Sequence, residues 1–166
     1  MKKFAETSIV ALLLGALSVP SGAAARALSW VPYQSAALKF QLKVPATWKL
    51  FETEQAVAFK GPGKSAQRPA IGILRSRQKG LTIEQAADKE FEQAGHPVNW
   101  TRSHAYFAGW RALKVVGTSQ KSLRLVEYYV EAPEGYYLVQ CIGPKNQWAS
   151  FSRVFTRIID SFQFLE

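Results

Sequence analysis

The sequence is poor in reactive side chains. Its 166 residues include one cysteine, Cys141, two histidines and two aspartates. A single cysteine rules out an intramolecular disulfide and any zinc site built from several thiolates. His96, His104 and the scattered carboxylates show no metal-ligand spacing, and no cofactor motif is present, so neither metal nor cofactor is expected. There is no internal repeat and no low-complexity linker. Beyond the N-terminus no apolar run approaches the ~20 residues that a membrane-crossing helix needs. What is there is globular composition, 48% hydrophobic and 20% charged, enough for one domain.

Lys2 and Lys3 give a positive start, Ile9 to Val19 a short apolar run, and Ser21 to Ala27 a mostly small-residue stretch. That order predicts a secretory signal peptide over residues 1–25, with cleavage after Ala25 or Ala27. No cysteine lies near the cut, which excludes lipid attachment there. Cleavage after Ala25 leaves 19 basic and 11 acidic side chains, a net of +8; cleavage after Ala27 leaves +7. Residues 28–166 then read as a single domain. Its positive balance favours anionic partners. Export makes nucleic acid the weaker candidate and an envelope protein or polymer the stronger.

Leu38 to Val44 alternate apolar and polar strictly, the pattern of a half-buried strand ended by Pro45. Shorter strands are predicted at Trp48 to Phe51, Ala56 to Phe59 and Ala70 to Arg75. A helix should begin near Thr82, which forms a capping box with Gln85, and should end at Gly95 and Pro97. Four strands follow: Val98 to Phe107, Arg111 to Thr118, Leu123 to Glu131 and Tyr136 to Ile142. Their short links predict antiparallel pairing. A last helix, N-capped by Asn146, carries Trp148, Phe151, Phe155, Ile158 and Phe162 at helical spacing. The fold class expected is α+β, an antiparallel β-sheet flanked by helices on both faces.

Leu38 to Val44, Pro45 and Trp48 resemble the strand, proline and tryptophan opening of PsbP-like domains. Trp148 through Ile158-Ile159-Asp160-Ser161-Phe162-Gln163-Phe164 resembles their closing helix and Ser-Phe tail. The resemblance covers nearly the whole mature chain. It implies the PsbP/Mog-type α/β/α sandwich, whose members include the extrinsic subunit of the oxygen-evolving photosystem, Ran-binding proteins and exported bacterial proteins, chiefly accessory or binding proteins. The matched positions Leu38, Phe40, Leu42, Val44, Trp48 and Phe162 read as core. No functional residue transfers with them, and nothing in the chain marks a photosynthetic source.

Candidate chemistry is sparse. Ala58 to Ser65 approach a phosphate-binding loop, with Ala58 where its first glycine belongs. That mechanism needs Gly63, Lys64 and Ser65 to enter a helix directly, and Pro69 and a strand pattern follow instead. Ser103 and His104 are neighbours on a predicted strand and so point to opposite faces. Cys141 lies in an apolar strand, where a thiol is inert. Asp88 and Asp160 sit on helices near basic partners, with Arg157 three residues before Asp160. Glu52 and Glu54 alternate on a strand and read as a solvated face rather than a calcium site.

Lys60, Lys64, Arg68, Arg75 and Arg77 are the group singled out for binding. If the loop from Gly61 to Pro69 lies beside the end of the next strand, the five cations share one rim suited to carboxylate or phosphate. Among the aromatics Trp100, Tyr106, Phe107, Trp110, Tyr128, Tyr129, Tyr136 and Tyr137, any exposed ring is a contact anchor. The sequence therefore points to an exported, soluble, non-enzymatic accessory protein of the bacterial cell envelope that binds a protein or anionic component through this rim. The alternatives are an immunity or chaperone-like protein against a secreted effector, and a small hydrolase using His104.

Overall fold

A computed structural model describes residues 28–63, 68–78, 80–94, 98–119, 123–133 and 135–165. The predicted signal peptide lies outside these residues, as do Lys64 and His96. The described residues are mostly antiparallel β-sheet with two helices. In order it forms β1 (Trp30–Ser35), β2 (Phe40–Pro45), β3 (Lys49–Glu52), β4 (Ala56–Lys60), β5 (Ala70–Ser76) and α1 (Ile83–Ala94). Then come β6 (Val98–Phe107), β7 (Trp110–Thr118), β8 (Leu123–Ala132), β9 (Gly135–Pro144), α2 (Trp148–Asp160) and β10 (Gln163–Phe164).

These strands make two sheets where the sequence pattern suggested one. The larger has seven strands in the order β3-β4-β5-β9-β8-β7-β6, and the smaller is β1-β2-β10. The strand read most clearly in the sequence, β2, belongs to the smaller. Its Phe40, Leu42 and Val44 are buried while Lys43 is exposed, so one face is committed to the core. Its edges pair with β1 and with the two-residue β10. β1 is an edge strand, which is why it tolerates Pro32. All six core positions carried by the PsbP resemblance are buried.

Alternation along β9 divides the interior. Tyr137, Val139 and Cys141 join the cluster that holds Phe155 and Ile158 of α2 together with Phe40, Leu42 and Val44 of β2. Tyr136, Leu138 and Ile142 join the cluster that holds Ile83, Ala86, Ala87 and Phe91 of α1. The first is strongly aromatic: Phe162 stacks on Phe40 at 5.0 Å between ring centroids and meets Phe107 edge-on at 5.0 Å. Tyr137 ties the sheets together by donating its hydroxyl to the Leu38 carbonyl oxygen at 2.7 Å.

The predicted capping box of α1 is formed in both directions. The Gln85 amide donates to Thr82 Oγ1 at 3.2 Å, and the Thr82 amide to Gln85 Oε1 at 2.9 Å. α2 starts differently from the expectation. Residues 145–147 form a 3₁₀ turn, the cap position is Gln147 rather than Asn146, and it makes no side-chain capping bond. Packing of the aromatic stripe holds this helix in place of a polar cap.

Candidate functional site

The four described members of the cationic group fall at two ends of β5. Lys60 pairs with Ala70 at its start, and Arg68 lies two residues earlier. Arg75 pairs with Tyr137 near its end, five residues or ~17 Å away. Antiparallel geometry thus places the Lys60 loop end opposite the arginine end. Lys60 is also buried, at 1% exposure, with Nζ 4.3 Å from the centroid of the Phe51 ring. Burial pushes its pKa down, and Arg68 adds to the effect. Every residue of β4 is buried, so the alternation that would have flagged Lys60 as enclosed is absent from the sequence. Arg75 is half-buried with its guanidinium 5.7 Å from the Tyr137 centroid, and Arg77 is exposed just beyond the strand.

The groups considered for catalysis are kept apart. Ser103 pairs with Lys114 and His104 with Leu113, on alternate faces. His104 is 75% exposed, and Glu84 Oε1 lies 3.8 Å from its Nδ1, beyond hydrogen-bond reach. A hydrogen bond from its own backbone amide at the start of α1 holds the Glu84 carboxyl below its usual range. Thr82, His104 and Arg111 add to this, against the effect of burial. Cys141 is buried, and desolvation pushes its thiol up, against a small opposing effect of Lys114. Asp88 accepts a hydrogen bond from Arg102, whose guanidinium also lies 4.7 Å from the Trp100 centroid and 5.2 Å from that of Phe91. Asp160 is exposed, and Arg157 lies 4.4 Å over Trp30 instead of bridging to it.

In the motif from Ala58 to Ser65 the described residues run from β4 into a bend at Gly63, and the next described element is a strand. Among the described residues no three or more His, Cys, Asp and Glu side chains converge as a metal site. The burial of Tyr33, with the Glu52 carboxylate beside it, raises that phenol to about 12. A shallow depression of about 300 Å³ is lined by Trp110, Arg111, Glu131, Ala132 and Pro133. Its two charges face each other at 3.4 Å. Of the aromatics, Phe107, Tyr129, Tyr136 and Tyr137 are core, whereas Trp100 is 37% and Tyr106 77% exposed.

Sequence reading missed a buried carboxylate. Glu127 is 5% exposed; Gln140 Nε2 donates to its Oε1 at 2.6 Å and the Tyr129 hydroxyl to its Oε2 at 3.3 Å. Burial raises its carboxyl to about 7, Glu90 adds to the rise, and the two hydrogen bonds oppose it. Its only trace in the sequence is a carboxylate at an inward position of the alternating run from Leu123 to Tyr129.

The ordering of strands and the closing α2–β10 segment can be compared with known structures. The chain overlaps the solution structure of cyanobacterial PsbP (CyanoP) from Synechocystis with a TM-score of 0.55, at 9% identity over 88% of this chain and 98% of that one. LpqN of Mycobacterium tuberculosis, described as involved in cell envelope biogenesis, overlaps with a TM-score of 0.52, at 12% identity over 85% and 93%. The fold is PsbP-like. No protein-family model matches the chain, and no curated protein sequence matches it. The PsbP-like scaffold therefore rests on shape. Among the described residues no helix is long and apolar enough to cross a membrane.

Proposed function

We propose that this chain is an exported, soluble accessory protein of the bacterial cell envelope that works by binding, not by catalysis. The two helices are read as flanking opposite faces of the large sheet, the PsbP/Mog-type sandwich, because β9 divides its side chains between a cluster with α1 and a cluster with α2. The N-terminal segment is read as a cleaved signal peptide. The envelope role of LpqN, whose fold is shared, supports the same setting.

The observation that carries the reading is a contrast. The candidate nucleophile Cys141 is buried, and Ser103 and His104 lie on alternate faces, while every described cation except Lys60 keeps some exposure. Arg75 and Arg77, at the open end of β5, are the proposed contact for a protein or other anionic component. Lys60 and Arg68 line the other end of that strand, and Lys64 belongs to the loop between them.

The test is capture from the native envelope with the protein and its Arg75→Glu/Arg77→Glu variant, at low and high salt. The expected result is one partner whose recovery falls with salt and with charge reversal. Recovery unchanged in both comparisons defeats the proposal. An immunity or chaperone-like role would show itself as a secreted effector encoded beside this gene.

A further inference from the structure

The sheet face that carries Val139 and Cys141 is closed at β9 and opens progressively toward β6. Successive rows read across β9, β8, β7 and β6: Val139, Tyr128, Lys114, Ser103, and then Cys141, Val126, Val116, Thr101. In each row the β9 residue is buried, the β8 and β7 residues are half-buried, and the β6 residue is exposed. A third row, Gly143, Arg124 and Thr118, ends the platform.

This platform has a one-sided chemistry. Outside β9, and apart from Val98, which pairs with Thr118 beyond the β6 irregularity, these three rows hold two cations, three hydroxyls, two valines and a tyrosine, and no carboxylate. Neither Lys114 nor Arg124 has an ion pair with a described residue. Lys114 lies 5.5 Å over the Tyr128 ring, a contact that leaves its charge available. Elsewhere on the protein Arg102 and Arg111 are matched by Asp88 and Glu131. Since Tyr128 pairs with Lys114, and Arg124 is four residues along β8, the two cations stand ~14 Å apart along the strands.

We infer that this open face of β6, β7 and β8 is a docking surface for an extended acidic protein segment whose carboxylates are four residues apart. In an extended chain, residues i and i+4 share one face and are separated by ~14 Å, which matches the spacing of Lys114 and Arg124. Between them the segment lays one small apolar side chain on Val116 and Val126, and Thr101, Ser103 and Thr118 supply hydroxyls to its flanks. Arginine and lysine at the two ends set register through charge, and the apolar middle adds contact area. This deepens the reading of the protein as a binder of anionic partners and rests on it, but it places the contact on other residues than Arg75 and Arg77: Arg75, paired with Tyr137, lies on the same sheet face beyond β9.

The probe is a capped Thr/Val peptide of about ten residues with glutamates at i and i+4, added to the ¹⁵N-labelled protein and followed by NMR. The expected result is saturable shifts at the amides of Val116, Arg124 and Val126. Affinity should fall about tenfold when both glutamates become glutamine, or in the Lys114→Gln/Arg124→Gln variant. Both positions are half-exposed, so that variant should keep its melting temperature, which is measured alongside. Arg75→Glu/Arg77→Glu should change affinity less than about twofold. Shifts elsewhere, equal binding of a peptide with glutamates at i and i+2, or no saturable binding overturns the inference. Loss only in the Arg75/Arg77 variant also overturns it while leaving the proposed function standing. Binding at these residues by phosphatidylglycerol vesicles but not by the peptide rejects a protein segment in favour of a lipid surface.

Discussion

At the scale of single residues, Glu127 is the group with the largest physical consequence. Its carboxyl titrates near pH 4.5 in the unfolded chain and near 7 when folded, because burial disfavours the anion. Below pH 4.5 both states hold the proton and the group is neutral toward stability. Between 4.5 and 7 the folded state retains a proton that the unfolded state has released, so stability falls as pH rises through that window. Above 7 the loss is complete, on the order of 3 kcal/mol. Glu127→Gln keeps the carbonyl oxygen that accepts from Gln140 and removes the titration. Melting temperature measured from pH 4 to 8 should fall for the native protein and run flatter for the variant, which should be the more stable of the two at pH 8. Parallel curves would show that Glu127 does not titrate in this range.

Gly135 sets a second residue-scale constraint. Its φ is +133°, and a Cβ added there would lie 2.1 Å from the Ser76 carbonyl oxygen. Both the backbone conformation and the contact exclude a side chain. Gly135→Ala should destabilise by more than the ~1 kcal/mol of an ordinary positive-φ substitution, since the β8–β9 turn and the end of β5 must separate. Urea titration of the variant checks this; a midpoint within error of the native one would mean that the turn yields freely.

At the scale of elements, the two helices are held by different physics. α1 buries Ile83, Phe91 and the small side chains of Ala86 and Ala87, and is closed at its start by the reciprocal Thr82–Gln85 bonds. Thr82→Ala should therefore lower stability by about 1 kcal/mol. α2 has no side-chain cap but buries Phe155 against Trp48 and Trp148, with centroids 5.8 and 5.4 Å away. Phe155→Ala should remove about 3–5 kcal/mol by leaving a cavity between those rings. Comparing the two variants by denaturant unfolding tests whether packing outweighs capping, and a larger loss for Thr82→Ala would reverse that ranking.

The same contrast explains what the sequence made legible. Alternating or unbroken apolar runs, turn residues and a capping box are local, so β2 to β9 and α1 were readable within a residue or two. β1 and β10 were not, because Trp30–Ser35 contains Pro32 and Gln163–Phe164 is only two residues long, and each exists by pairing with β2. The division into two sheets depends on those pairings and left no local mark. Among the candidate contact residues, the placement of Arg75 and Arg77 at the end of β5 was readable from alternation. The burial of Lys60 was not, since every residue of β4 is enclosed and its ammonium lies over the Phe51 ring of the neighbouring strand.

At the scale of the whole molecule, the seven-stranded sheet has, among the described residues, two free edges of unequal risk. β3 is four residues long, whereas β6 offers ten residues of edge, most of them exposed. A long exposed edge invites another strand to pair with it. Here the edge is interrupted near its start, where the pairing of β6 with β7 shifts between Val98 and Thr101 and Asn99 adopts φ +50°. Further along, Arg102 and His104 stand on it, and the chain as a whole carries a positive net charge that repels copies of itself. Replacing Ser103 and His104 together by valine removes the polar part of the middle of the edge and raises its strand propensity, without touching the core face of β7. The variant should unfold at a similar temperature yet associate at concentrations where the native protein does not, read by light scattering and size exclusion. Restoring charge with Ser103→Lys in the same background should return it to the native behaviour. If the double valine variant stays as dispersed as the native protein, the bulge at Asn99 and the net charge suffice to guard the edge.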